Sequence, residues 1–337
     1  MRASERDTLV SLDEIEAAAE RIRPIARVTP LVEVPWPAAR EAENTSGLAA
    51  RLLLKCENLQ PMGAFKIRGA YNMLAQLPAD ERQRGVITYS SGNHGQAVAL
   101  AARELGAPAV IVMPTTAPAV KVEGARGYGA EVTFAGTTSL DRKRRAEQIA
   151  AERGLTIIPP FDHPMIIAGQ GTVGLEILEQ CPNVTTVLVE IGGGGLSSGV
   201  ATAIKRRAPH VRVVGVEPAG AAKMQTSLAA GAPVTLERTD SIADGLLTVR
   251  PGDLTFEHVR AFVDEVVTVP DAAMIEAIRW LFRNARLVVE PSGSVTTAAL
   301  MLGLGGVDPV RGPVVAIVSG GNVEPARYAE YITHGTS

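Results

Sequence analysis

Between Gly85 and Phe161, short runs of β-branched and aliphatic residues alternate with longer stretches whose apolar positions recur at helical spacing. The extended runs are "GVITYSS", "PAVIVMP", "AEVTFAG" and "LTIIPPF"; between them lie "HGQAVALAARELG", "APAVKVEGARGYG" and "TSLDRKRRAEQIAAERG". Strand-like runs interleaved with helical segments predict βαβαβαβ, and hence one parallel sheet. A second series predicts a larger parallel sheet: "TTVLVEI", "LSSGVATAIKRRA", "VRVVGVEP", "AAKMQTSLAAG", the helical "DAAMIEAIRWLFRNAR" and the buried-strand run "GPVVAIVSGGN". The expectation is an α/β fold of two open parallel-sheet domains, a small one (71–161) inserted into a large one (1–70 and 162–337). Near the start, Ser11 followed by Glu14 predicts a helix opened by a capping box.

Three glycine-rich turns follow predicted strands: "SSGNHG" from Ser90, "GGGGLSSG" from Gly192 and "SGGN" from Ser319. In open α/β sheets a ligand lies beyond the carboxyl ends of the strands, so the three turns can share one cleft. Four successive glycines, Gly192 to Gly195, leave bare backbone N–H groups at a helix start, where an anion such as phosphate is favoured. Other readings of the same letters stay open. A tight turn with positive φ needs one or two glycines. Gly195-Leu196-Ser197-Ser198-Gly199 matches the G-x-S-x-G elbow of a serine hydrolase, with His334 downstream. Gly193, Gly195 and Gly199, with Glu217 ending the next strand, form a loose variant of the dinucleotide site of an NAD-binding oxidoreductase.

Composition narrows the partners. With 33 Lys+Arg against 36 Asp+Glu the net charge is -3, which offers no basic field to nucleic acid. Cys56 and Cys181 lie far apart in apolar surroundings and read as reduced packing residues. His94, His163, His210, His258 and His334 include no H-E-x-x-H, and neither cysteine has a C-x-x-C partner, so no metal site is read from them. The opening segment is charged and lacks a signal-peptide core, and no uninterrupted apolar run reaches about 20 residues. A soluble cytoplasmic protein without membrane contact is expected.

Lys66, in "GAFKIRGAYNML", admits two readings. Most lysines stay solvated, and this one can simply open a helix. A desolvated lysine instead has a lowered pKa and can form a Schiff base with a carbonyl cofactor.

Taken together and in order, "KCENLQPMGAFKIRGA", "SSGNHGQA", "GGGGL", "EPSGSVTTAAL" and "VSGGN" decide between them. The chain resembles the fold-type II pyridoxal-phosphate enzymes with a tryptophan synthase beta-like fold, in the branch of threonine/serine dehydratases and serine racemase. The likeness runs from about Leu12 to Asn322 and implies the short form without a regulatory domain. It further implies pyridoxal 5'-phosphate as cofactor, a small amino-acid substrate and a homodimer. The activity implied is dehydration of L-threonine or L-serine to a 2-oxo acid and ammonia, with serine racemisation or dehydration of another 3-hydroxy amino acid, such as 3-hydroxyaspartate, as the alternative. Carried over by position, Lys66 holds the cofactor as a Schiff base beside Phe65. Gly192, Gly193, Gly194, Gly195 and Leu196 cradle the phosphate. Asn93 meets the ring 3-oxygen, Ser319 the pyridine nitrogen, and Gly245 lines the cofactor. The loop Ser90, Ser91, Gly92, Asn93 and His94 takes the substrate carboxylate.

Three departures from the family pattern stand out. Ala64 replaces a common serine. Ser91 stands where racemases place a base on the opposite ring face and dehydratases often have alanine. Where serine-racemase-like members hold a metal with a glutamate, a carbonyl and an aspartate, this chain reads Glu217, Ala221 and Lys223. A lysine in place of a carboxylate removes a hard oxygen ligand and adds a repelling charge, so no divalent cation is expected, and the ammonium can itself pair with Glu217.

Overall fold

The computed structural model describes residues 9–35, 51–90, 92–117, 119–308 and 311–333. Ten strands among them form two sheets. In chain order they are β1 (Leu31–Val34), β2 (Leu52–Cys56), β3 (Val86–Thr88), β4 (Ala109–Met113), β5 (Glu131–Phe134), β6 (Thr156–Ile157), β7 (Thr186–Glu190), β8 (Arg212–Pro218), β9 (Glu265–Val269) and β10 (Val314–Val318). The first series of predicted strands becomes a four-stranded sheet ordered β5-β4-β3-β6, parallel throughout. The larger sheet is ordered β1-β2-β10-β7-β8-β9. It is parallel from β2 to β9, but β1 runs antiparallel, with Leu31 opposite Lys55 and Val34 opposite Leu52. The larger parallel sheet expected from sequence is present, with one antiparallel edge strand, β1, added to it, a common arrangement in otherwise parallel sheets.

The central strands are buried on both faces, which is why they read as continuous apolar runs rather than alternating ones. On one face Val187, Val189, Val315 and Ile317 meet Val173, Ile177, Val200 and Ile204 of the helices Pro164–Gln180 and Gly195–Arg207. On the other, Leu188, Ala316 and Val318 meet Ala277, Leu281, Val295 and Ala298 of the helices Asp271–Ala285 and Pro291–Met301. The N-terminal helix Leu12–Ile22 opens with the predicted capping box: Ser11 Oγ accepts from the Glu14 N–H (3.2 Å), and Glu14 Oε2 accepts from the Ser11 N–H (2.7 Å).

The helix Lys66–Leu74 packs against the helices Asn93–Glu104 and Pro164–Gln180. Its Ile67, Ala70 and Leu74 pack with Ala97, Val98 and Ala101 of the helix Asn93–Glu104 and with Ile166. Gly69 and Gly169 let it approach Pro164–Gln180 closely: a Cβ at Gly169 would lie 2.6 Å from the Gly69 Cα. Arg68, fully buried, pins the same contact. Its guanidinium donates to both oxygens of Glu57 (2.7 Å each), to both of Glu176 (2.6 and 2.9 Å), and to the Thr172 hydroxyl (3.1 Å). Planar bidentate pairing of this kind fixes orientation as well as charge.

Candidate active site

Lys66 is the first residue of its helix, and one backbone stretch far away in sequence, Ser319 to Gly321, holds the residues before it. Ala64 bridges Gly320 antiparallel, the Phe65 N–H donates to the Ser319 carbonyl (3.1 Å), and the Gly321 N–H donates to the Gly63 carbonyl (2.9 Å). Gly63 sits at φ 79°, and a side chain there would strike Asn322. The turn "SGGN" thereby seats the lysine. Lys66 Nζ lies 5.1 Å from the centre of the Phe65 ring and donates to the Pro160 carbonyl (2.8 Å). Although the side chain is partly exposed, its ammonium is enclosed by protein, and desolvation lowers its pKa to about 8.

The residue after Pro160, Phe161, packs against the glycine run. A Cβ at Gly193 would lie 2.3 Å from the ring of Phe161, and Gly194 sits at φ 100°. Neither position admits a side chain, for different reasons. The helix Gly195–Arg207 begins inside the run with no side chain capping it, so its first amides face an open end. Leu196 is buried behind them. Gly192 abuts Gly245, whose carbonyl would lie 3.1 Å from an added Cβ, and the Gly245 N–H donates to the Ser292 hydroxyl (2.9 Å).

In the first glycine-rich turn, Ser90 Oγ accepts from the Gly92 N–H (3.4 Å), and Gly92 precedes the helix Asn93–Glu104, again without a side-chain cap. Asn93 Nδ2 donates to Glu290 Oε1 (2.7 Å), while its Oδ1 accepts from Asn322 Nδ2 (2.8 Å). The His94 ring is buried and turned away, its Nε2 3.1 Å from the Ile158 carbonyl. That carbonyl can only accept, so Nε2 carries the proton. Burial first, and the nearby Lys66 second, push the His94 pKa down to about 3, so the ring is neutral. Ser91 and His334 lie outside the described residues.

Ser319, buried, directly follows β10. Its N–H donates to Oε1 of Glu190 (3.1 Å), the last residue of β7, and the second Glu190 oxygen is buried without a hydrogen-bond partner among the described residues. Sequence reasoning passed over Glu190, Glu290 and Asn322 as site residues. Glu190 left one signal, a lone charge in the apolar run "TTVLVEI". Glu290 and Asn322 left none apart from the turns that contain them. Burial, joined by repulsion from Asp244, pushes the Glu290 carboxyl up to about 8.

The hydrolase and dinucleotide readings of the glycine run find no support here. Ser197 is fully buried in its helix and its hydroxyl donates to the Gly194 carbonyl (3.1 Å). Glu217, which would have met a ribose, instead accepts from the N–H groups of Met224 (3.0 Å) and Gln225 (2.9 Å). It also pairs with the buried Lys223 ammonium at 2.9 Å, as its position in the sequence suggested. Lys223 Nζ donates further to the carbonyls of Ala221 (3.0 Å), Ile191 (3.1 Å) and Leu246 (3.2 Å). Cys56 and Cys181 are free thiols, both buried.

These residues fit pyridoxal 5'-phosphate. An enclosed amine of lowered pKa, an anion-receiving helix start that no side chain fills, and a polar Ser319–Glu190 corner converge at the carboxyl ends of β7 and β10, as an aldehyde, a phosphate and a pyridine ring require.

Known proteins give the same answer. A family model described as pyridoxal-phosphate dependent enzyme matches residues 22–320. The chain is 39% identical over 330 residues to a serine racemase of Schizosaccharomyces pombe, covering 98% of this chain and 99% of that one. With an L-threonine ammonia-lyase of Thermotoga maritima the identity is 42% over 317 residues, or 94% of this chain and 76% of the relative. Among solved structures, maize serine racemase superposes with a TM-score of 0.86 at 39% identity, covering 95% of this chain and 96% of that one. The family match runs from before Lys66 to beyond Ser319 and takes in both sheets, so the chain belongs to the pyridoxal-phosphate dependent enzymes of fold type II.

Proposed function

We propose that the chain is an ammonia-lyase that converts L-threonine, L-serine or both to the corresponding 2-oxo acid and ammonia. The observation that carries this reading is the enclosed Lys66 amine beside the glycine run, in a chain about 40% identical to L-threonine ammonia-lyases. When bound, the cofactor supplies the electron sink that makes the substrate α-proton acidic. Lys66, with a pKa of about 8, is the group able to take that proton near neutral pH. The amides at the start of the helix Asn93–Glu104 receive the substrate carboxylate. Ser319, a hydroxyl rather than a carboxylate, leaves the ring nitrogen without a permanent counter-charge, which favours prompt loss of the β-hydroxyl over a long-lived carbanion. This reading includes a homodimer, a cytoplasmic setting and an inserted domain over 71–161. The four-stranded sheet within 86–157 supports the last of these.

The similarity to serine racemases, together with Ser91, supports racemisation as a second activity. Purified protein given L-threonine or L-serine should form 2-oxo acid, with D-serine accumulating more slowly from L-serine. In Ser91→Ala, D-serine formation should fall at least about tenfold more than deamination, because the base on one face is lost while Lys66 stays on the other. Equal losses would assign Ser91 to carboxylate binding alone. No 2-oxo acid from either substrate would overturn the lyase reading.

Lys223 makes a divalent cation unnecessary. Its ammonium is held by one carboxylate and three carbonyls, the hard oxygens that would otherwise bind a metal ion. Activity should survive EDTA and change less than about twofold with Mg²⁺, whereas Lys223→Asp should acquire metal dependence. Loss of wild-type activity on chelation, restored by Mg²⁺, would refute this.

A further inference from the structure

Glu190 is a carboxyl in an aliphatic setting. It shares a sheet face with Leu188, which packs among Val216, Val318, Val295 and Ala298. It is 3% exposed, and the acidic group that bears on it is Glu290, not a cation. Its Oε1 accepts from the Ser319 N–H (3.1 Å) and the Ser319 hydroxyl lies beside the carboxyl, while Oε2 has no hydrogen-bond partner among the described residues. Burial, with Glu290 adding to it, raises its pKa well above the usual carboxylate range, and a carboxyl so enclosed, with one oxygen unpartnered among the described residues, favours the un-ionised acid.

A hydroxyl has one hydrogen and two lone pairs. Beside a carboxylate, the Ser319 hydrogen would turn inward to the charge and present a lone pair to the lone pair of the cofactor's ring nitrogen. Beside a carboxylic acid the order reverses. We propose that Glu190 is a positioning residue that donates its acid proton to Ser319 Oγ in a hydrogen bond and so directs the single Ser319 hydrogen to the ring nitrogen of bound pyridoxal 5'-phosphate. The proposal rests on the assignment of Ser319 to that nitrogen. No proton is transferred; two neutral donors in series polarise the ring more than one hydroxyl does. The ionisable groups around this corner are Glu290 at the start of the helix Pro291–Met301, Lys66 beyond the Phe65–Ser319 hydrogen bond, and Lys223, whose ammonium holds the carbonyl next to Glu190 in the chain. The Lys121–Asp244 pair lies behind Glu290.

Three variants test the idea: Glu190→Gln, which keeps a donor at every pH, Glu190→Met, which keeps the volume but not the donor, and Ser319→Ala. The cofactor dissociation constant is read by absorbance titration and apo-protein stability by thermal melting. Glu190→Met should weaken cofactor binding about tenfold, the scale of one lost hydrogen bond, yet raise the apo melting point, because an unpartnered buried oxygen disappears. Glu190→Gln should restore binding to within about threefold. In a Ser319→Ala background, Glu190→Met should have no further effect on binding. Equal weakening by Gln and Met, or a Met penalty that persists without the Ser319 hydroxyl, would overturn the role of Glu190 alone. Wild-type protein that takes up no cofactor would overturn this inference and the functional reading together.

Discussion

Lys66→Ala is expected to abolish the visible absorbance band that forms when pyridoxal 5'-phosphate is added, and to lower 2-oxo acid formation by about 10³-fold or more. Two functions disappear with one amine, the covalent attachment of the cofactor and the base that takes the α-proton, and a positioned base alone contributes about 10²–10⁴-fold. The fold should survive, since among the described residues the ammonium makes a single hydrogen bond, to the Pro160 carbonyl, and its removal relieves a desolvated charge. Far-ultraviolet circular dichroism unchanged beside a lost band and lost turnover is the expected pattern. Retention of the band would show that another amine holds the cofactor, and the assignment of Lys66 would fall.

The second large effect is on stability. Arg68→Ala leaves Glu57 and Glu176 facing each other without the guanidinium that neutralises both, and breaking a buried pair from one side costs about 3–5 kcal/mol. The melting midpoint should drop by roughly 5–10 °C. Arg68→Lys should recover only part of this, because an ammonium cannot serve two carboxylates bidentately. A pH signature accompanies the loss. Burial acts to raise the Glu57 pKa, but Arg68 and Lys55 outweigh it and hold the carboxyl below its ordinary value of 4.5. A depressed carboxylate contributes stability above pH 4.5 and loses it as the pH falls through the folded value, so wild-type stability should decline there while the variant's profile is flatter. A midpoint within 2 °C of wild type, to within about 1 kcal/mol, would rule out this account.

Most of the framework is legible in the letters because it is local. The four strands from Val86 to Ile157 and the helices between them each carry their own period and turn residues, and Ser11 with Glu14 specifies a cap within one turn. What escaped is decided by distant partners. β1 is too short to declare its direction, and β9, "EVVTV", has no feature that separates it from a loop-side apolar run. Arg68 is visible in "KIRGA", but its acceptors lie 11 and 108 positions away, and nothing local marks it as buried. The glycine run announces an anion site by composition alone. That Phe161 packs against it and the Pro160 carbonyl accepts from Lys66 follows from tertiary packing.

The seat of Lys66 also bears on how the protein is made. The hydrogen bond from Asn322 to the Met62 carbonyl spans 260 positions, and the bridge of Ala64 to Gly320 closes nearly the same loop. Closing a flexible loop of that length costs about 5 kcal/mol of chain entropy, recovered only once the sheets on either side have formed. A nascent chain still lacking Ser319 has its lysine but not the turn that seats the residues before it. Cofactor capture is therefore a late event, after most of the chain has been synthesised, and from then on the bound cofactor draws the population toward the folded state by mass action.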